Sequence, residues 1–243
     1  MSVMENASRY YRDKGISPLA FKCKHRDDCK RDCTTFTEAH EPYIGREYER
    51  CGHGSIPRLL FLSLDSGTLP PDPMARTAQA QQTLEENRSN HGPNPHWRYT
   101  HELAQTLLKQ FKQGLSFQEA CRYFAHTNSA KCSMNNLNNK MAGRQLFENC
   151  REYIPGEIEV LKPDILVTQG DWAMEAITRN FSATIKGEQK SCGYAFLKLG
   201  DHNLLWFHSY HPTNYGKFFR QKKSCWPQWE VIVGEFWSGQ LQK

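Results

Sequence analysis

The sequence predicts an α/β domain with a mostly parallel sheet. Three observations carry that expectation: short continuous apolar runs suited to buried strands, helical apolar spacing between them, and turn residues where the runs end. With 243 residues and 38% hydrophobic content, one domain is expected. It would bury roughly three quarters of its unfolded surface and need no metal or disulfide merely to fold.

Residues 1–58 are polar and cysteine-rich, with little apolar periodicity. Arg58-Leu-Leu-Phe-Leu-Ser-Leu-Asp65 reads as the first buried strand, closed by Ser66-Gly67 and the prolines at 70, 71 and 73. Within the polar stretch 74–99 a short helix is expected around Ala78–Glu86, followed by a loop at Asn94-Pro-His-Trp97. Leu103, Leu107, Leu108 and Phe111 have helical spacing, which predicts a helix over His101–Phe111. Ser116-Phe-Gln-Glu119 has the form of a capping box opening another helix.

Ala125–Ala130 is a second strand, and Gln145–Leu161 a helix bent near Pro155-Gly156. Asp164–Thr168 is a third strand, from which Gly170 turns into a helix over 171–179. Ala195–Leu199 and Asn203–Phe207 form a hairpin or two neighbouring strands, and 226–237 a terminal helix. The expected organisation is a cysteine-rich basic arm, 1–57, packed on an α/β core of residues 58–243.

In a parallel sheet the ligand site lies beyond the carboxyl ends of the strands. Those ends carry Asp65, Asn128 and, after Phe207, His208 and His211. An acid, an amide and an imidazole at separate strand ends form a candidate catalytic set. Each also has a plainer reading: Asp65 as a turn cap, Asn128 as an Asx turn, His211 as a loop residue.

The net charge is +5, a mild excess compatible with a nucleic-acid partner. Lys22, Lys24, Arg26, Lys30 and Arg31 crowd one end of the chain, and Lys217, Arg220, Lys222 and Lys223 the other. No stretch approaches the ~18 apolar residues of a membrane span, and the first residues lack a secretory pattern. A soluble, cytoplasmic protein is expected, and a monomer, since nothing suggests a repeated interface. In that compartment the nine cysteines read as metal ligands or core thiols rather than as a disulfide framework.

Asn128-Ser-Ala-Lys-Cys132, Cys150-Arg-Glu-Tyr-Ile-Pro155, Leu161-Lys-Pro-Asp-Ile-Leu-Val-Thr-Gln-Gly170 and His211-Pro-Thr213 occur in that order. This ordered set, across about residues 29–225, resembles the iron–sulfur branch of the uracil-DNA glycosylase superfamily. The resemblance implies a three-layer α/β/α sandwich with a central, mostly parallel four-stranded sheet. It also implies DNA, double- or single-stranded, as partner, and hydrolysis of an N-glycosidic bond. Asp65 would position water and stabilise the sugar cation, and His211 would donate to the base oxygen on which charge develops, with His208 a competitor. Asn128 would read the flipped base. Asn214 and Tyr215 would enter the groove while Lys217 and Arg220 grip phosphates.

Four thiolates can hold a [4Fe–4S] cluster. By the resemblance Cys132 and Cys150 are two of them. Cys29 and Cys33 are the chosen N-terminal pair, with Cys23 and Cys51 as alternates and zinc as the alternative metal. Cys121, Cys192 and Cys225 read as core or surface thiols.

The chain departs from the family in two places. Leu64 stands where the branch usually has its acid, which is why the role goes to Asp65. The Gly-Arg-Pro-Phe segment, whose aromatic stacks on uracil, is missing, and the polar stretch 68–99 replaces it. Trp97 is the chosen substitute ring, with Phe61 and Tyr210 as others. Loss of that wall points to a bulkier base, such as a modified cytosine of phage DNA, with ordinary uracil repair or an inactive DNA-binding relative as alternatives.

Overall fold

The computed structural model describes all residues except 32–34, 53, 68, 88–93, 135–141, 182, 187–191, 201 and 242–243. In chain order the elements are α1 (Val3–Asp13), α2 (Arg26–Lys30), β1 (Tyr43–Ile44), β2 (Leu59–Ser63), α3 (Ala78–Glu86), α4 (Pro95–Leu108) and β3 (Phe124–Asn128). They continue with α5 (Arg144–Cys150), α6 (Ile154–Leu161), β4 (Ile165–Gln169), α7 (Asp171–Asn180), β5 (Ala183–Lys186), β6 (Tyr194–Leu199), β7 (His202–Ser209) and α8 (Tyr215–Trp237).

The fold is α/β, but the four-stranded expectation is corrected. Among the described residues the sheet has seven strands in the order β1-β3-β2-β4-β7-β6-β5. Its centre, β3, β2, β4 and β7, is parallel, while β1, β6 and β5 pair antiparallel at the margins. The additions come from two sources. Tyr43–Ile44 of the N-terminal arm adds to β3, and the hairpin β6–β7 gains a further strand, β5.

Strand alternation gives the sheet two faces with separate cores. Leu59, Phe61, Phe124, Val167, Leu205 and Phe207 pack under α4 and α8 with Leu103, Leu107, Phe218 and Trp229. Leu60, Leu62, Leu166, Leu204 and Trp206 pack on the other face with Ile158 of α6, Ile177 of α7 and Ala7 of α1. A third cluster joins Tyr11, Ile16 and Cys29 of the arm to Cys132, Leu146 and Cys150. The arm is therefore built into the domain.

Several boundaries move for local reasons. Helix α4 begins at Pro95 because Asn94 caps it, accepting from the N–H groups of His96 and Trp97. The Ser116–Glu119 capping bonds form as read, yet open only a 3-10 turn over Ala120–Tyr123 before β3 begins. The expected helix 145–161 is two helices, α5 and α6, joined by a 3-10 turn over Arg151–Tyr153, with Pro155 in the first turn of α6. Gly156 allows the Tyr10 ring of α1 to lie against that turn, since a Cβ there would sit 2.6 Å from it.

The thiol reading is corrected at one pair. Cys192 and Cys225 form a disulfide, Cα to Cα 4.7 Å, because the segment before β6 lies against α8. Among the described residues no helix is long and apolar enough to cross a membrane.

Candidate active site

On the face under α4 the apolar layer gives way to a polar one at the carboxyl ends of the central strands. One residue pair beyond Phe61 and Val167 stand Ser63 and Gln169, and His126 of β3 lies beside them. Helix α4 covers this layer with His96 and Thr100. The hydrogen bonds form a directed chain. Thr100 Oγ1 donates to the His96 carbonyl at 2.9 Å, and Gln169 Nε2 donates to Thr100 Oγ1 at 3.1 Å. Ser63 Oγ donates to Gln169 Oε1 at 2.8 Å. The serine proton is thereby committed, so His126 Nε2, 2.8 Å from Ser63 Oγ, carries a proton and donates it.

His96 Nε2 lies 3.2 Å from both Ser63 Oγ and His126 Nε2. Its ring stacks on His211, with centroids 5.1 Å apart and planes within 10°. Burial lowers the imidazoles: His211 to about 4, His96 to about 3 with His211 adding to the effect, and His126 well below the ordinary range. At neutral pH they are uncharged, each with one donor and one acceptor. In His211 the acceptor is Nδ1, which receives the Thr213 N–H at 3.3 Å and lies 2.8 Å from Thr213 Oγ1. Its proton therefore sits on Nε2, the nitrogen a ligand oxygen would meet.

Asn128 ends β3, buried, and pairs in register with Ser63. Its amide nitrogen donates to His40 Nε2 at 2.8 Å, while His40 Nδ1 donates to the Glu41 carbonyl at 2.9 Å. The orientation of the Asn128 amide is thereby fixed. Lys131, three residues on, anchors the same turn. Buried, it bonds to the Asn128 carbonyl at 2.6 Å, to Thr127 Oγ1 at 3.0 Å and to the Glu157 carboxylate. Glu157 also accepts from the Tyr11 hydroxyl of α1.

Asp65 lies half-buried on the turn after β2, where Oδ2 accepts the Ala142 N–H at 3.1 Å. Its neighbour Leu64 flanks Gly170, as His211 does. At Gly170, whose φ of +102° suits glycine, a Cβ would stand 2.7 Å from Leu64 Cδ2 and 3.3 Å from His211 Cβ. His208 is turned inward, fully buried, with Nδ1 3.1 Å from Thr168 Oγ1. It does not share the His211 loop. Trp97 is committed to the core, 4.8 Å from the His126 ring and packed on Tyr43 and Phe124. Phe61 is fully buried. The ring that α4 lays against His211 is His96.

Sequence reasoning missed His96 and His126. Neither belongs to a motif, and only sheet register and the start of α4 bring them together. A detectable signal was the Asn94-Pro95 pair, a cap followed by a first-turn proline, which places His96 at a helix start.

Asn214 precedes α8, and Tyr215, Lys217 and Arg220 are exposed on its first turns. The N-terminal cations are partly neutralised: Lys24 pairs with Glu152, Arg26 with Glu38 and Arg31 with Asp28.

Away from the strand ends, Cys23, Cys29, Cys132 and Cys150 line one small pocket between the arm and α5. Cys33 lies outside the described residues, so the expected pairing of Cys29 with Cys33 is joined by the alternate Cys23. Cys51 is elsewhere, its thiol donating to the Glu47 carbonyl. Three of these thiols have polar neighbours. Cys29 receives the Asn149 amide at 3.3 Å, Cys150 the Lys131 N–H at 3.3 Å, and Cys23 lies 3.4 Å from the Tyr153 hydroxyl. Such donors stabilise metal-bound sulfur. Burial pushes Cys150 up to about 12 and Cys132 well above the ordinary thiol range, so both hold protons unless a cation replaces them. Among the described residues no group of three or more His, Cys, Asp or Glu side chains is arranged to hold a metal ion.

No protein-family model matches the chain, and no curated protein matches it.

Proposed function

We propose that the chain is a monofunctional DNA glycosylase that flips a pyrimidine-derived base and hydrolyses its N-glycosidic bond, leaving an abasic site. The observation that carries this reading is His211, a neutral imidazole with its proton on Nε2, beside the polar layer of Ser63, His96, His126 and Gln169. Cleavage leaves negative charge on the base and positive charge on the sugar. A fixed neutral donor stabilises the first without a compensating charge in the ground state. Asn128, oriented by His40, supports the reading of the base edge. Asp65 is the carboxylate for the water and the sugar cation. Lys131 is sequestered in its ion pair with Glu157, in keeping with hydrolysis rather than Schiff-base chemistry.

The cysteine pocket would hold a [4Fe–4S] cluster on Cys132, Cys150 and two arm thiols, Cys23, Cys29 and Cys33 being the candidates. When bound, the cluster ties the arm to α5 and supplies no redox step that the hydrolysis needs. The substrate favoured is a modified pyrimidine, such as hydroxymethyl- or glucosyl-hydroxymethylcytosine in foreign DNA, because the polar stretch 68–99 replaces in sequence the segment that, by the resemblance, forms a uracil-excluding wall. Uracil repair is the alternative.

The decisive assay is release of alkali-labile abasic sites from uracil DNA, unmodified DNA and phage DNA carrying hydroxymethylated or glucosylated cytosine. Release from modified DNA alone is the expected result, and exclusive release of uracil would assign the enzyme to repair. A second reading, a DNA-binding relative without catalysis, is favoured by the Asp65 bond to the Ala142 N–H. Asp65→Asn separates the two: loss of base release with retained DNA binding supports the glycosylase, and no release from wild-type protein on any substrate supports the binder.

A further inference from the structure

The described chain exposes two large aromatic side chains, Tyr215 at 57% and Phe219 at 42%, and they lie together on the first turns of α8. Their rings are near parallel, 12° apart, with centroids separated by 6.1 Å. The pair is braced from beneath. Phe219 meets the edge of Tyr99 on α4 at 5.5 Å and 87°, and Tyr99 in turn carries the Lys222 ammonium 4.7 Å from its centroid. Phe218, buried, fixes the same turn from the core side. An aromatic surface left in water on a braced helix turn is unfavourable unless something covers it.

Its surroundings specify the chemistry of the cover. Lys217, Arg220 and Lys223 are exposed on the same turns, and among the described residues none has an acidic partner. Arg98 lies 5.8 Å from the Tyr99 ring centroid. Rings flanked by cations suit a flat, electron-rich ligand on an anionic chain, which is a nucleobase on its phosphate backbone. The position adds direction. Tyr215 is four residues after His211, so the two are at most ~14 Å apart along the chain, the reach of neighbouring nucleotides.

We infer that Tyr215 and Phe219 form a stacking platform for an unpaired base next to the one held at His211, and that the preferred substrate is single-stranded DNA. This rests on the glycosylase reading of the strand-end site. A base inside a duplex is stacked on both faces and offers none to the platform. Stacking of this kind tolerates any base, so it supplies strand preference and leaves base identity to the His211 site.

The test is fluorescence anisotropy of the full-length protein with a labelled pyrimidine-rich single strand and with a hairpin duplex of the same sequence, unmodified so that no chemistry intervenes. Wild-type protein is expected to bind the single strand more tightly. Tyr215→Ala is expected to weaken single-strand binding about tenfold, Phe219→Ala to weaken it less, and Tyr215→Phe to retain it. Duplex affinity should change little in all three variants. Equal or tighter duplex binding, or single-strand affinity unmoved by Tyr215→Ala, overturns the platform and leaves the glycosylase reading intact. Absence of base release alongside tight, Tyr215-dependent single-strand binding does the reverse, and no binding to either DNA removes both.

Discussion

His211 is partly buried, and burial rather than a charged partner brings it down to about 4. The Thr213 N–H then selects the tautomer, leaving Nε2–H to face an acceptor. Protonation would place a second N–H against that of Thr213 and turn the ring away. Single-turnover base release is therefore expected to be flat from pH 8 to about 5 and to fall as pH drops through about 4. A rate that rises on acidification through pH 6 would show that the imidazolium is the active form. His211→Ala should cost about 10²–10³ in rate, the usual cost of removing one donor to a developing anion, while leaving DNA affinity unchanged. His96→Ala tests positioning. It removes the ring stacked on His211 without touching the donor, so it should lower the rate less and shift the acid limb of the pH profile upward as water enters.

The element most dependent on one residue is the turn after β3, where Lys131 links β3, α6 and, through Glu157 and Tyr11, α1. Both charges are buried, so removing one strands the other. Lys131→Met should destabilise the protein by about 3–5 kcal/mol, and adding Glu157→Gln should recover part of that loss, as read from urea midpoints. A single variant within about 0.5 kcal/mol of wild type would show the pair to be solvated. This turn also shows what was legible in the sequence. Strands β2 and β4 announced themselves as apolar runs, and Asp65, Asn128 and His211 followed from the rule about strand ends. Helix α1 was readable but passed over: Val3, Met4, Ala7 and Tyr11 have helical spacing behind a Ser2–Glu5 capping box. Strand β1, two residues long, has no period to detect. Helix α8 begins eleven residues before the expected 226 because its first turns carry the exposed rings and cations rather than an apolar pattern. His96 and His126 are lone histidines 30 residues apart, and only the start of α4 lying over β3 places their nitrogens 3.2 Å from each other.

Across the whole molecule the two basic ends have different fates. The arm's cations are largely paired within the protein, whereas Lys217, Arg220 and Lys223 project from α8. Removing Lys217 or Arg220 should reduce the slope of log affinity against log salt by about 0.9 for duplex or 0.7 for single strands, and removing Lys24 should leave it unchanged. The other global property is acid sensitivity. His40 is buried among Lys131, Arg76 and Glu41 and held at about 4, largely by burial with Lys131 adding, against 6.5 when unfolded. His96, His126 and His211 are lowered likewise. Because these values are depressed, the unfolded chain binds more protons than the folded one below pH 6.5. Stability is thus level well above that pH, begins to fall as pH approaches 6.5, and then falls toward pH 4 by up to about 1.4 kcal/mol per pH unit for each fully buried ring such as His40. Urea midpoints measured at pH 7.5, 6.5 and 5.5 should decline about three times as much over the second interval as over the first. His40→Gln, which keeps an acceptor for the Asn128 amide, should flatten that decline by about one proton's worth of slope. A midpoint that holds steady or rises on acidification would mean that these imidazoles are solvated, and with them the neutral donor on which the proposed chemistry depends.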